Sequence, residues 1–155
     1  MKKQININLN DKTDYTNTYN NNILSYELSN YIIEETKGIS INDKIEFIVT
    51  SNFSITDDDK NNLVDMIRNS FGTDVSEIIN FSKKQILANL LILFIGIIFL
   101  ILYYVITPIF ISELNLILGW VFIGEAICNF LYHGFENNYK IKRNKQIINA
   151  KILFK

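Results

Sequence analysis

The chain is poor in the residues that staple or punctuate folds. Its 155 residues include one cysteine, one proline, one histidine, one tryptophan and six glycines, and only two of its basic residues are arginine. One cysteine excludes a disulfide scaffold, and a single histidine with no cysteine cluster gives no zinc ligand set. So little proline and glycine excludes collagen-like and Pro/Gly-rich low-complexity chains. Signature loops are missing too. No Walker loop, glycine-rich dinucleotide fingerprint, nucleophile elbow or zincin motif occurs, and nothing sets a nucleophile beside a base and its orienter. The sequence therefore indicates no enzyme class and no cofactor. The most informative absence is charge: residues 86–106 carry none, and a helix apolar all round needs a larger soluble domain than this to hide in.

What is present is distributed unevenly. Residues 1–80 hold seven Lys and Arg against thirteen Asp and Glu, and residues 81–155 hold eight against three. The 21 asparagines, 29 isoleucines and 13 lysines point to an AT-rich coding sequence, so the asparagine runs carry little functional weight.

The spacing predicts a small β-α-β-α domain over residues 1–72. Ile5, Ile7 and Leu9 alternate with polar residues and read as a strand. They do not read as a cleavable signal peptide, because no apolar block follows Lys2 and Lys3. Residues 11–22 read as a loop. Leu24, Leu28, Tyr31, Ile32 and Glu35 fall at helical spacing, with Asn22 as N-cap and Gly38 as a left-handed C-cap. Ile45, Phe47 and Val49 alternate in a second strand. Ser54 or Thr56 caps a second helix whose first turn, Asp57, Asp58 and Asp59, complements the helix dipole in preference to binding a metal. Its stripe is Leu63, Val64, Ile67 and Phe71, closed by Gly72. A crossover makes the two strands parallel. Two strands alone are marginal, so either residues 151–154 or another subunit completes the sheet. Residues 73–85 form a helical linker with no glycine or proline to stop it.

Two segments have the length and polarity of transmembrane helices. Residues 86–106 span about 31 Å, matching a hydrocarbon core of about 30 Å. Residues 114–132 are less pure, and Glu125 opposes insertion by about 2.5–3.5 kcal/mol, which apolar neighbours and pairing with the preceding helix offset. The flanks orient the pair. Lys83 and Lys84 precede the first span, Lys140, Lys142, Arg143 and Lys145 follow the second, and the connection at 107–113 has no Lys or Arg. Positive residues stay in the cytoplasm, which puts both termini inside and those basic side chains on anionic headgroups of the cell membrane. The expected fold is an α+β membrane protein: a small N-terminal cytoplasmic domain, a two-helix transmembrane hairpin and a basic C-terminal tail over 133–155. The tail reads either as a helix on anionic lipid or as a helix ending in a strand at 150–154. Nucleic acid is not an expected partner, because the neighbouring domain is acidic.

Within the second span, Glu125, Asn129 one turn on, and the adjacent Cys128 form a polar stripe. Asn89 of the first span lies at a similar depth to Asn129, where antiparallel packing brings the two together. The stripe reads as a proton or ion site, or as glue for the hairpin or an oligomer, and glue is the favoured reading. Gly119 and Gly124 permit close helix approach, Gly124 with small-xxx-small spacing to Cys128. Trp120, inside the apolar run, reads as a packing residue.

The run Gly119-Trp120-Val121-x-Ile123-x-Glu125, followed by Lys142-Arg143-Asn144-Lys145 and Asn149-Ala150-Lys151-Ile152, resembles small uncharacterised two-span membrane proteins of Firmicutes. The resemblance covers most of the chain and implies a cytoplasmic domain before a hairpin, a basic tail ending in a short apolar strand, and no known activity. Two functional classes follow. One is an accessory or scaffolding membrane protein that acts through its cytoplasmic domain and forms a homo-oligomer or binds a protein partner. The other is a pore-forming or ion-conducting stress or defence effector that uses Glu125.

Overall fold

Alternation with period two builds the first strand of the mixed α+β fold. The structure, a computed structural model, describes residues 2–155. In chain order it has β1 (Lys2–Leu9), a short 3-10 turn (Lys12–Asp14), β2 (Thr16–Asn17), β3 (Asn20–Leu24), α1 (Tyr26–Lys37), β4 (Lys44–Ser51), α2 (Asp57–Val105), α3 (Ile109–Ile148) and β5 (Lys151–Phe154). The chain divides into two compact units, one of residues up to Ser76 together with Lys140–Lys155, the other Glu77–Tyr139.

The first unit is a three-stranded parallel sheet in the order β1-β4-β5. In register, Ile5 lies beside Phe47 and Ile7 beside Val49, and Phe47 lies beside Ile152 on its other flank. This places one row of apolar side chains on a single face. Leu28 and Ile32 of α1, Leu63, Ile67 and Phe71 of α2, and Ile147 and Ala150 bury that face as one cluster. On the opposite face Gln4, Asn6 and Asn8 of β1 are exposed, beside the buried Glu46 and Ile48 of β4. There Glu46 accepts a hydrogen bond from Lys2 Nζ at 2.9 Å. That bond first, and one with Gln4 second, hold its carboxyl below the usual glutamate range. The sheet is thus completed from within the chain: β5 supplies the missing strand, and the tail ends in a strand.

Several boundaries differ from the sequence reading. Residues 11–22 are not a plain loop. They contain the 3-10 turn and most of an antiparallel β2–β3 hairpin, whose tip turns on Tyr19 N donating to Asn17 Oδ1 at 2.9 Å. Because that hairpin runs through Leu24, the N-cap of α1 is Ser25, not Asn22. The Ser25 hydroxyl accepts from Leu28 N at 3.2 Å and donates to Asp14 O at 2.7 Å. Gly38 is not left-handed; it sits at φ −78°, ψ −3°.

Gly72 does not close α2; residues 73–85 are helical as expected and run without a break into the apolar stretch, all within one 49-residue helix. A helical glycine costs only about 1 kcal/mol relative to alanine. Buried Phe71 and Val75 hold the helix on either side of it. The connection between α2 and α3 is correspondingly shorter than 107–113, covering residues 106–108. Pro108, placed just before α3, has no N–H for the helix to leave unpaired.

Of the two candidate caps, Thr56 is the one used. Its hydroxyl meets Asp59 N at 3.2 Å and its own N–H donates to Asp59 Oδ2 at 3.3 Å, a reciprocal capping box. Asp59 also takes a 2.9 Å hydrogen bond from Lys12 Nζ. The Lys12 bond first and the Thr56 hydroxyl second hold its carboxyl below the usual aspartate range. A lowered folded-state value stabilises fully above the range where the unfolded chain takes up a proton, and that stability drains away as pH falls through the lowered value. Thr56→Ala is expected to lower stability at neutral pH by about 1 kcal/mol. Lys12→Met is expected to lose less stability than the wild type as pH falls from about 5 through the ordinary aspartate range. Denaturant melts across that range check both.

The second unit pairs the later part of α2 with the earlier part of α3 as an antiparallel hairpin. Both helices are long and apolar enough to cross a membrane. Only 6% of the most apolar window of α2 and 17% of that of α3 is buried, so neither is covered as the core helix of a soluble protein would be.

Candidate functional site

The chemistry-bearing residues of the hairpin fall on two different faces of α3. One face meets α2. Contacts recur at three- and four-residue spacings, and they begin where Ser112 Oγ donates to Tyr103 O at 2.8 Å. The Phe99 and Phe122 rings stack with centroids 5.6 Å apart. Toward the other end, Asn137 Nδ2 lies 2.9 Å from Ser82 Oγ and 3.1 Å from Gln85 Oε1. Midway the backbones touch at two glycines. A Cβ on Gly119 would lie 2.6 Å from Leu100 Cδ2 and 3.1 Å from Gly96 O, and one on Gly96 would lie 2.8 Å from Ile123 Cγ1. Small residues at such crossings let helices gain packing where no hydrophobic force between them exists. Gly96 was not singled out by the sequence, although it is the one glycine in an otherwise bulky apolar run. Asn115, buried on the same hairpin, was also passed over; its Nδ2 has no hydrogen-bond partner among the described residues.

The other face of α3 carries Glu125. Asn129 Nδ2 donates to Glu125 Oε1 at 2.8 Å, one turn apart, and the pair lies at the surface of the hairpin. Cys128 beside them is exposed as well. The sequence brings Asn89 to Asn129; the structure ties Asn129 to Glu125 instead. Asn89 lines an apolar cavity of about 290 Å³ with Ile86, Leu90, Leu93, Ala126 and Phe130. Within the hairpin Gly124 makes no close approach, since a Cβ there would meet nothing within 4 Å. Trp120 is 64% exposed and takes no part in packing the hairpin.

No protein-family model, curated protein or solved structure matches this chain. The site is therefore read from its own geometry.

The basic residues assigned to headgroups also divide. Lys83, Lys84, Lys140, Lys142 and Lys145 are exposed, whereas Arg143 is buried. Its guanidinium donates to Ile39 O at 2.7 Å and to Gln146 Oε1 at 2.7 Å. Gln146 Nε2 in turn donates to Ser40 O at 2.9 Å and Asp43 O at 2.6 Å. Arg143 and Gln146 thus clamp the end of α3 to the loop between α1 and β4. A visible signal existed: in a chain with 13 lysines, an arginine four residues before Ile147 suits a buried position that needs a planar fork of donors. The aspartates opening α2 are engaged locally, Asp57 with Lys60 at 2.8 Å and Asp59 with Lys12 at 2.9 Å.

Proposed function

We propose that this chain is a two-pass protein of the cell membrane with both termini in the cytoplasm, and that it acts as an accessory or scaffolding protein through its α/β unit. One observation carries the reading. β5 follows both apolar helices in sequence, yet it pairs with β4, which precedes them, Glu46 lying beside Lys151 and Val49 beside Phe154. Segments on the two sides of the helices fold into one sheet, so an odd number of crossings would tear that sheet apart. An even number keeps it whole. The lysines at 83, 84, 140, 142 and 145 then favour the cytoplasmic side, and the largely exposed apolar windows need lipid to cover them. The resemblance to small two-span proteins, which implies a domain before a hairpin and a basic tail ending in a short apolar strand, supports the same reading.

The α/β unit offers a surface for the scaffolding role. Parallel sheets are ordinarily covered on both faces, and here Gln4, Asn6 and Asn8 on one face are exposed beside the apolar Ile48 and Leu153, a mixed surface suited to a protein partner. The topology is tested by placing single cysteines in a Cys128→Ala background. Glu113→Cys is expected to react with a membrane-impermeant maleimide added to intact cells, and Lys155→Cys only after permeabilisation. Labelling of Lys155→Cys in intact cells would defeat the proposed topology.

A further inference from the structure

Resting on the reading of the hairpin as membrane-inserted, we propose that two copies of the chain pair through the outer face of α3, so that the Glu125–Asn129 pair of one copy hydrogen-bonds to that of the other. α3 carries two seams with heptad spacing. The first meets α2 within the chain. The second runs through Leu114, Leu118, Val121, Glu125, Cys128 and Tyr132, alternately four and three residues apart, the spacing that packs one helix against another. In one chain this seam has no partner: Leu114, Val121 and Tyr132 are 48%, 59% and 67% exposed.

Apolar exposure alone is what lipid would cover. The polar pair is different. After the 2.8 Å bond between Asn129 Nδ2 and Glu125 Oε1, the amide keeps a second N–H and the carboxyl keeps a second oxygen. In hydrocarbon those groups are costly unless another polar group meets them. A second copy in the same membrane has the same orientation, so a two-fold axis along the membrane normal sets the two α3 helices side by side in parallel. Identical residues then face each other at identical depth, as an isologous interface requires. The spare N–H of one Asn129 meets the spare oxygen of the other copy's Glu125, and the symmetry makes this bond twice. A partner helix of different sequence would need an acceptor and a donor at matching depth, whereas a second copy has them by symmetry.

Cys128 lies on this seam and is the only cysteine, which makes it the reporter. Full-length protein in membranes is oxidised with copper-phenanthroline and air, and the same membranes are extracted at alkaline pH. The expected result is a protein that resists extraction and forms a disulfide-linked band at twice the monomer mass. Glu125→Gln, whose one oxygen still accepts from its own Asn129 and whose new N–H can donate to the other copy's Asn129 Oδ1, is expected to retain that band. The double variant Glu125→Leu with Asn129→Leu is expected to associate roughly eightfold more weakly, the worth of two average interhelical hydrogen bonds in membranes. A cysteine at position 127, on another exposed side of the helix, with Cys128→Ala, is expected to cross-link at no more than about a tenth of the Cys128 rate, an order-of-magnitude margin for a face-specific contact. Extraction-resistant protein with no dimer band, equal cross-linking from 127 and 128, or an adduct of another mass would overturn the pairing while leaving the membrane reading intact. Release at alkaline pH would overturn both.

Discussion

Gly119→Leu is expected to open the helical hairpin, and Gly124→Leu is expected to leave it closed. The two glycines sit five positions apart on α3, but only one touches α2. At Gly119 even a methyl group would lie 2.6 Å from Leu100 Cδ2, 2.8 Å from Leu100 Cγ and 3.1 Å from the Gly96 carbonyl oxygen. Leu100 can rotate away; the backbone of Gly96 cannot without separating the helices. Overpacking of this kind typically costs about 1–3 kcal/mol, and a leucine side chain at a backbone crossing belongs at the upper end. Gly124 faces open space. Unfolding of the full chain in mixed micelles, followed by helical signal as denaturing detergent increases, checks the pair. Equal midpoints for the two variants would mean that the crossing at Gly96 and Gly119 does not hold the hairpin.

The second large effect lies in the α/β unit. Residues 1–72 expressed alone are expected to show no cooperative melt, whereas residues 1–76 joined by a flexible linker to residues 140–155 are expected to melt cooperatively. The difference is carried by a short stretch of chain. Ile147 is 1% exposed and Ala150 4%, and Ile152 and Phe154 pack on the same cluster. Fully burying a large apolar side chain is worth about 1.5–3 kcal/mol, so losing Ile147 together with the partly buried Ile152 and Phe154 removes roughly 3–6 kcal/mol. The Arg143 and Gln146 hydrogen bonds to Ile39, Ser40 and Asp43 go with them. Since domains are stable by only about 5–15 kcal/mol, the shorter fragment is left with little. A sharp thermal transition in residues 1–72 would show that β1, β4 and the first helices suffice.

Much of this was legible in the sequence, and the rest failed for identifiable reasons. Alternation at Ile5, Ile7 and Leu9 and at Ile45, Phe47 and Val49 marked both long strands, because a half-buried sheet face imposes period two. The apolar stretches of α2 and α3 announced themselves by length. Caps were harder. Asn22 and Ser25 are both good N-caps, and the choice between them depended on whether Leu24 joined a strand, which is settled by Thr16 across the hairpin and not by local propensity. Gly72 misled for a related reason: a glycine is permitted at a helix end but does not enforce one. At the site, residue types were readable and their directions were not. Glu125, Gly119 and Gly124 all stood out by composition, yet which of them faces α2 depends on the rotation of α3. That rotation is set by the Gly96 crossing and by Asn137 against Ser82 and Gln85. Arg143 reads as part of a lysine cluster because charge alone does not show that it shares a side of the helix with the buried Ile147.

The parallel pairing of β4 with β5 also sets a timetable for synthesis. β4 waits for a neighbour about a hundred residues downstream. A ribosome adding roughly 5–20 residues per second takes on the order of 5–20 s to reach it. During that interval both apolar helices are synthesised, while Ile5, Ile7, Phe47 and Val49 have an incomplete cover. The α/β unit therefore closes only after the hairpin has been made. A chain stopped anywhere short of β5 is left with an unfinished sheet, its central strand β4 lacking one of its two neighbours.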